Sequence, residues 1–290
     1  MEHVERRKAI LAVHPQVRAL MGAEPRLALA SAAVVAAQLY VGYLLRRFCW
    51  PAVVAAAYLV GGSLWLLQFT LQHDAQHRNV FGPRWPRLND ALAWVLGAPA
   101  LVPYRFGRRR KHLDHHRHLG EPGRDADRPS ERQVALSRRR AGRLLLLLTA
   151  PLASRARQLR RPADAAQSAL LVTGALLLGG PRTAAYLALG PLLGRTLHPF
   201  GAALLCSHSY GPGNQAVTYS YRGPLNWLFL NTGYHIEHHD FPNVPCCRLA
   251  AVTRAAPEFY AGLPHVDSWF TCMINYVTGA NRDLTTRHDT

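Results

Sequence analysis

The chain is short of acid: among 290 residues, 17 Asp and Glu face 34 Lys and Arg, for a formal net charge of +17. It is also poor in sulfur, with three methionines and five cysteines, none of them in a C-x-x-C pair. An odd set of scattered cysteines (Cys49, Cys206, Cys246, Cys247, Cys272) suggests neither a disulfide framework nor a zinc knuckle, so reduced thiols facing the cytosol are expected. No internal repeat or low-complexity tract is visible. Charge itself is missing from two stretches, residues 27–45 and 51–71. Each has about the 20 apolar residues that cross a bilayer as a helix. Both are apolar on every face, unlike the helices of a soluble globule.

The five residues "RRFCW" between them leave room only for a tight turn, so the two segments read as a hairpin. A second hairpin is expected from 165–180 and 184–205, turning at "GGPRT". There the first arm is short and the second carries Arg195 and His198, so buried helices of a soluble fold stay open as an alternative. The run "RFGRRRKH", taken alone, would suit nucleic acid. The distribution of charge points instead to a membrane. Basic residues concentrate in the first 26 residues, in loop 72–163 and after residue 205, while the hairpin turns hold only Arg46, Arg47 and Arg182. The positive-inside rule then puts both termini and the central loop in the cytosol. The leader "MEHVERRK" precedes an apolar segment longer than a signal-peptide core, so no cleavable leader is expected. The stretch "ALSRRRAGRLLLLLTAPLASRARQLRR" has an apolar centre too short to span and reads as a helix lying on the membrane surface.

Three histidine clusters carry the chemistry: "HDAQH" (His73, His77), "HLDHH" (His112, His115, His116) and "HIEHH" (His235, His238, His239). Residues three and four apart share a helix face, so each cluster turns its histidines one way. One such pair is weak evidence, because surface pairs are common. Three with the same spacing, using eight of 15 histidines, are not accidental. Glu237 and Asp114 fall on the opposite side of their helices. They read as groups supporting a ligand from behind or, about equally, as ordinary exposed acids. His208, three residues beyond the fourth apolar segment, is the natural ninth ligand, the alternative being a polar helix end. His198 reads as a packed or substrate-lining residue. Nine imidazoles are too many for one tetrahedral zinc. "HDAQH" has Asp where the zinc-protease motif needs Glu, and no Glu-x-x-His pair of the ferritin type is present. A histidine-rich di-iron centre at the bilayer surface remains. The fold expected is an all-α integral membrane fold with two transmembrane hairpins (four spans) under a cytosolic helical cap. Segment 1–26, membrane part 27–205 and C-terminal part 206–290 form one domain.

The chain resembles the sphingolipid Δ4-desaturase (dihydroceramide desaturase) family of membrane fatty acid desaturases. The likeness runs from "ERRKAILAVHPQVRALM" through "HDAQHRNVFG", "HLDHHRHLGEPGRDADRP", "LHPFGAALLCSHSY" and "TYSYRGPLNWLFLNTGYHIEHHDFPNVP" to "EFYAGLPHVDSW". It implies a non-haem di-iron enzyme of the endoplasmic reticulum that uses O2 to desaturate dihydroceramide between carbons 4 and 5. Its electrons would come from cytochrome b5 and its reductase, as separate proteins. It implies as ligands His73, His77, His112, His115, His116, His235, His238 and His239, with His208 matching the histidine after the fourth span. Sphingolipid C4-hydroxylation, acyl-lipid desaturation and a catalytically silent lipid-binding protein stay open beside it. Ala203 and Ser207 stand where the family has His and Glu, "QAV" replaces its Gly-His-Glu, and Arg195 replaces a neutral residue.

Overall fold

The computed structural model describes residues 1–101, 106–211, 215–280 and 282–285, without the side chains of 106–108 and 200. The start of "RFGRRRKH" therefore lies outside the described residues. The chain is mostly helical. Helix α1 (His3–Val13) leads to α2 (Arg26–Leu44). After a tight turn, α3 (Trp50–Ala56) passes through one π-helical turn at Ala57–Gly61 into α4 (Gly62–Gln76). Then follow α5 (Pro86–Gly97), α6 (Phe106–Arg117), α7 (Glu131–Ser137), α8 (Arg140–Leu159), α9 (Pro162–Leu193) and α10 (Ala202–Leu205). The remainder is β1 (His208–Tyr210), β2 (Ala216–Thr218), β3 (Ser220–Tyr221), α11 (His235–Asp240), α12 (Leu249–Ala255), β4 (His265–Val266) and α13 (Trp269–Thr278). Strands β1 and β2 pair antiparallel and β3 and β4 parallel, so the fold is not purely helical.

Among the described residues, three helices are long and apolar enough to cross a membrane: Arg26–Arg47, Trp50–Gln76 and Pro162–Leu193. Their outer faces keep large apolar side chains exposed, with Leu29 at 73%, Leu59 at 63% and Leu177 at 82%, as expected of surfaces that meet hydrocarbon. Two features of α9 bear on the sequence expectation: a break inside the "GGPRT" stretch where a turn is expected, and an end well short of Leu205. Gly180 breaks it from within (φ 75°, ψ −173°), a conformation open to glycine and costly for other residues. Arg182 beside this break donates to the Arg46 carbonyl at 3.2 Å, which ties the two arginine-bearing turns together. The apolar run to Leu205 is not one helix: α9 ends at Leu193 and the chain unwinds before α10. Small residues govern the packing here. A Cβ on Gly61 would come within 3.1 Å of the Gly190 Cα, and one on Gly62 within 3.0 Å of the Gly194 Cα. Such backbone contact is the usual means of joining helices in lipid, where burial of apolar area gives no drive.

The region outside the spans has its own cores. Ile10 of α1 and Val17 pack with Ile236, Phe241, Leu249 and Val252, so the two ends of the sequence close over each other. Tyr221, Phe229, Trp269, Met273 and Tyr276 form another cluster with Trp65 and Leu66 of α4. Arg143 is buried and donates to the carbonyls of Ser137 (3.1 Å) and Gly279 (2.7 Å), joining α8 to the end of α13. Leu145, Leu148 and Leu152 stay exposed on α8, the apolar face expected of a surface-lying helix. The expectation of five free thiols is corrected: Cys206 and Cys272 form a disulfide, leaving Cys49, Cys246 and Cys247 free. The pair lies 66 residues apart in sequence and meets only because α10 packs on α13, which no spacing rule reveals.

Candidate metal centre

The three boxes occupy three helix ends. His73 lies in the last turn of α4 with His77 at its C-cap, His112, His115 and His116 lie in α6, and His235, His238 and His239 lie in α11. His208 comes from strand β1, not from a helix end as the sequence alternative had it. Long-range hydrogen bonds assemble these pieces. The Arg109 Nε at the start of the second box donates to the Gln76 carbonyl at 2.7 Å. Asp74, inside the first box, accepts from the Cys246 N–H at 3.1 and 3.2 Å, and Asn79 donates to the Pro242 carbonyl at 3.1 Å. The sequence "HDFPNVPC" thus docks on the end of α4 and carries α11 with it. α11 ends at Asp240, two residues before Pro242, close to where proline would stop a helix.

The nine histidines come together as two groups. In the first, His73, His77, His112, His116 and His238 bring one ring nitrogen each within 4.8 Å of the others. Nε2 separations are 2.7 Å for His77–His112, 3.1 Å for His112–His116 and 3.1 Å for His116–His238. In the second, His115, His208 and His239 meet the same limit. His235 joins them through its Nε2, 2.9 Å from that of His208, which in turn lies 3.2 Å from His115 Nε2. His116 and His239 stack at 4.2 Å between the groups. Burial, reinforced by neighbouring positive charge, pushes His77, His112, His116, His238 and His239 well below the ordinary imidazole value, and His235 down to about 3. These rings are neutral at pH 7, the form in which imidazole donates a lone pair to a cation. Nitrogens converging at such distances cannot all carry protons. The donor set therefore fits metal ions, and each group can hold one.

Support from behind comes from residues the sequence did not single out. His115 Nδ1 lies 2.8 Å from Asp125 Oδ1, both groups buried. Burial alone would lower His115, but the Asp125 hydrogen bond and the Asp127 charge raise it overall. For Asp125 burial acts upward, and the His115 bond with the N–H groups of Gly120 (2.8 Å) and Asp127 (2.9 Å) brings it below the ordinary carboxylate value. A second chain of contacts reaches His208. Its Nδ1 lies 3.3 Å from Thr218 Oγ1, which lies 3.0 Å from His3 Nε2, and His3 Nδ1 lies 2.7 Å from Asp240. Arg6 (2.7 and 2.8 Å) and Tyr260 (3.0 Å) complete the shell of Asp240.

Asp114 and Glu237 fall on different sides of the two readings the sequence left open. Asp114 faces out beside Arg110 at 3.9 Å, an ordinary surface pair. Glu237 points away from the histidines as expected but is fully buried, not exposed. Its oxygens accept from Ser220 (2.6 Å) and Thr253 (2.7 Å), fastening α11 to β3 and α12. His198 is a packing residue: its ring meets Tyr58 at 4.8 Å, and its Nε2 lies where a Gly62 side chain would go.

A cavity of about 1130 Å³ runs from the histidines down α4 to α8 and α9. Trp65, Leu66 and Phe69 make its apolar wall, and Arg155, Arg161 and Arg195 lie along it. Ala203, Ser207 and Arg195, the departures noted in the sequence, all line it. The Arg195 guanidinium sits 5.8 Å from the centre of the Trp65 ring.

A histidine-rich site able to hold metal, beside membrane-length helices, agrees with what comparison finds. The fatty acid desaturase family model matches residues 49–270, and the sphingolipid Delta4-desaturase model matches residues 2–26. The sphingolipid delta(4)-desaturase/C4-monooxygenase of Bos taurus is 35% identical over 285 residues, covering 95% of this chain and 88% of that protein. The human protein of the same name is similar to the same extent, 35% over 285 residues with the same shares covered. The sphingolipid delta(4)-desaturase of Drosophila melanogaster is 32% identical over 284 residues, again covering 95% and 88%. The chain belongs to the fatty acid desaturase family and, within it, to the sphingolipid Δ4-desaturases.

Proposed function

We propose that this protein is a sphingolipid Δ4-desaturase. It converts dihydroceramide, O2, two electrons and two protons into ceramide and two waters, forming the trans double bond between carbons 4 and 5. The observation that carries the reading is the sorting of nine histidines into two groups at the end of a lipid-sized cavity lined by His73, His112, His115, His208, His235 and His238. Two iron ions, when bound there, supply O2 activation and the oxidising power for removing two hydrogens. His73, His77, His112, His116 and His238 would hold one, and His115, His208, His235 and His239 the other.

The protein's own residues do the rest. Trp65, Leu66 and Phe69 bind the chain and keep water from it, which protects a reactive site from side reactions. Asp125 and the Thr218–His3–Asp240 chain fix the orientation and proton position of His115 and His208, as outer residues do at metal sites.

The break at Gly180 supports reading α9 as two membrane segments, giving four spans in two hairpins with the histidine boxes on the cytosolic side. Residues 1–26 and 206–290 then belong to the same desaturase unit. The endoplasmic reticulum membrane is the location, and cytochrome b5 with its reductase the electron source. The relatives named desaturase/C4-monooxygenase favour a second outcome at the same site, hydroxylation at carbon 4.

Expression in desaturase-deficient cells, with mass spectrometry of long-chain bases, tests both. The expected result is a Δ4-unsaturated base, with or without the 4-hydroxylated one, and about two irons per purified chain. Stable protein yielding neither lipid product overturns the enzyme reading, and iron-free protein supports a silent lipid binder.

A further inference from the structure

Trp65, Gln68, Phe69, Gln72, His73 and Gln76 recur at three- and four-residue steps, so they form one face of α4, and all six line the cavity. Gln72 is anchored, its Nε2 donating to the Ala93 carbonyl at 2.6 Å. Gln68 is not. It is only 2% exposed, and neither its Nε2 nor its Oε1 has a hydrogen-bond partner among the described residues. Buried polar groups are nearly always satisfied, and one with both donor and acceptor ends unmet calls for an explanation. Gln38, Thr70 and Ser168 also have an unpaired polar atom, but none of them lines the cavity, and the Gln38 Oε1 already accepts from Tyr186. Gln68 stands out because its whole amide is unmatched beside a lipid-sized space.

Its position relative to the histidines is informative. Gln68 precedes His73 by five residues, about 7.5 Å along the helix axis. A sphingolipid whose carbon 4 lies under the histidines carries its carbon-3 hydroxyl beside them and its carbon-2 amide one position further on, within reach of this side chain. A primary carboxamide donates through N–H and accepts through its carbonyl, and a secondary amide offers the complementary pair. An ester or thioester offers an acceptor alone, and a hydrocarbon chain offers neither.

We propose that Gln68 is a specificity-determining residue that hydrogen-bonds the amide of an N-acylated long-chain base. It thereby fixes which carbons of the chain lie at the histidine groups. The proposal rests on the reading of the site as one for a sphingolipid and adds the atom that recognises it. Sites built to hydrogen-bond a substrate group reject analogues lacking it far more strongly than apolar pockets reject a missing methylene.

The test crosses two proteins, wild type and Gln68→Leu, with two ligands, dihydroceramide and its ester-linked analogue. Turnover is followed by mass spectrometry, and equilibrium binding of fluorescent short-chain forms is measured on purified metal-free protein. Leaving one buried hydrogen-bonding group unmet is expected to give wild type a preference for the amide of roughly 10- to 100-fold in both, and Gln68→Leu should reduce it below about threefold. The variant's thermal midpoint without lipid should stay level or rise, since an apolar isostere removes an unsatisfied buried group. A folded Gln68→Leu that keeps the wild-type preference overturns the proposal, as does a wild type that binds both ligands equally. A marked fall in the lipid-free thermal midpoint would mean a structural role and would also overturn it. Amide-selective binding that depends on Gln68, without any conversion by wild type, leaves the proposal standing and removes the desaturase reading instead.

Discussion

The two histidine groups are made in different ways. Four of the five members of the first group are only partly buried, and four, His73, His77, His112 and His116, come from two neighbouring helix ends. Two i, i+4 pairs, His73/His77 and His112/His116, set most of its geometry, and His238 of α11 completes it. The core of the second group, His115, His208 and His239, is buried, and one of those residues sits on a strand. It is braced by Asp125 and by the Thr218–His3–Asp240 chain, whose members lie up to 237 residues apart. A cluster drawn mostly from local spacing still needs the contacts that dock its boxes, such as Arg109 on the Gln76 carbonyl and Asp74 on the Cys246 N–H. One assembled from separate segments depends on buried hydrogen bonds to hold its rings.

The sharpest way to break this comparison is to remove one ligand from each group. His238→Ala and His239→Ala should each reduce activity to background, and each should lower bound iron from about two per chain to about one, measured by metal analysis of purified protein. Arg6→Ala is next. It leaves the Asp240 carboxylate, wholly buried, without its bidentate partner. Losing one member of a buried pair is expected to destabilise by about 3–5 kcal/mol, read as a lowered thermal midpoint. The damage should appear in the second group first. Asp125→Asn, which keeps shape and removes charge, should weaken iron retention or activity by about 10- to 100-fold. Asp114→Asn, one residue from His115 but turned outward, should change neither, and equal effects of the two would erase the distinction.

The smallest effect concerns the tie between α2 and the loop after the third box. Glu24 accepts from Arg248 at 2.6 Å and Arg26 at 2.9 Å, and these guanidiniums hold its carboxyl below the ordinary value of 4.5. A depressed acid contributes stability that is complete above its unfolded value and fades as pH falls through the folded one. Glu24→Gln should therefore lower the thermal midpoint slightly at pH 7. The gap from wild type should close as pH drops below about 4.5. A gap that persists in acid would assign the effect to packing.

Much of the spans and boxes could be read from the sequence because both signals are local. Residues 27–45 and 51–71 announce themselves by the absence of charge, and the boxes by helical spacing. Where the reading failed, contacts distant in sequence decided. The fourth apolar run gives way after Leu193, where Gly194 approaches the Gly62 backbone. Asp125 carries no mark that separates it from Asp127, and only the turn that brings its carboxylate under His115 reveals it. Glu237 falls opposite the histidines as helical geometry requires, but whether that side met solvent depended on Ser220 and Thr253.

By itself the sequence determined which segments suit a bilayer, which side chains can bind metal, and how each box presents them. These follow from hydropathy and from 3.6 residues per turn, and neither needs a neighbour. Tertiary structure alone decided how nine imidazoles divide into two groups, which acids support them, that Cys206 meets Cys272, and that Gln68 lines the cavity with no partner for its amide among the described residues. Burial and hydrogen-bond satisfaction are properties of what packs around a residue, and packing partners here come from both ends of the chain.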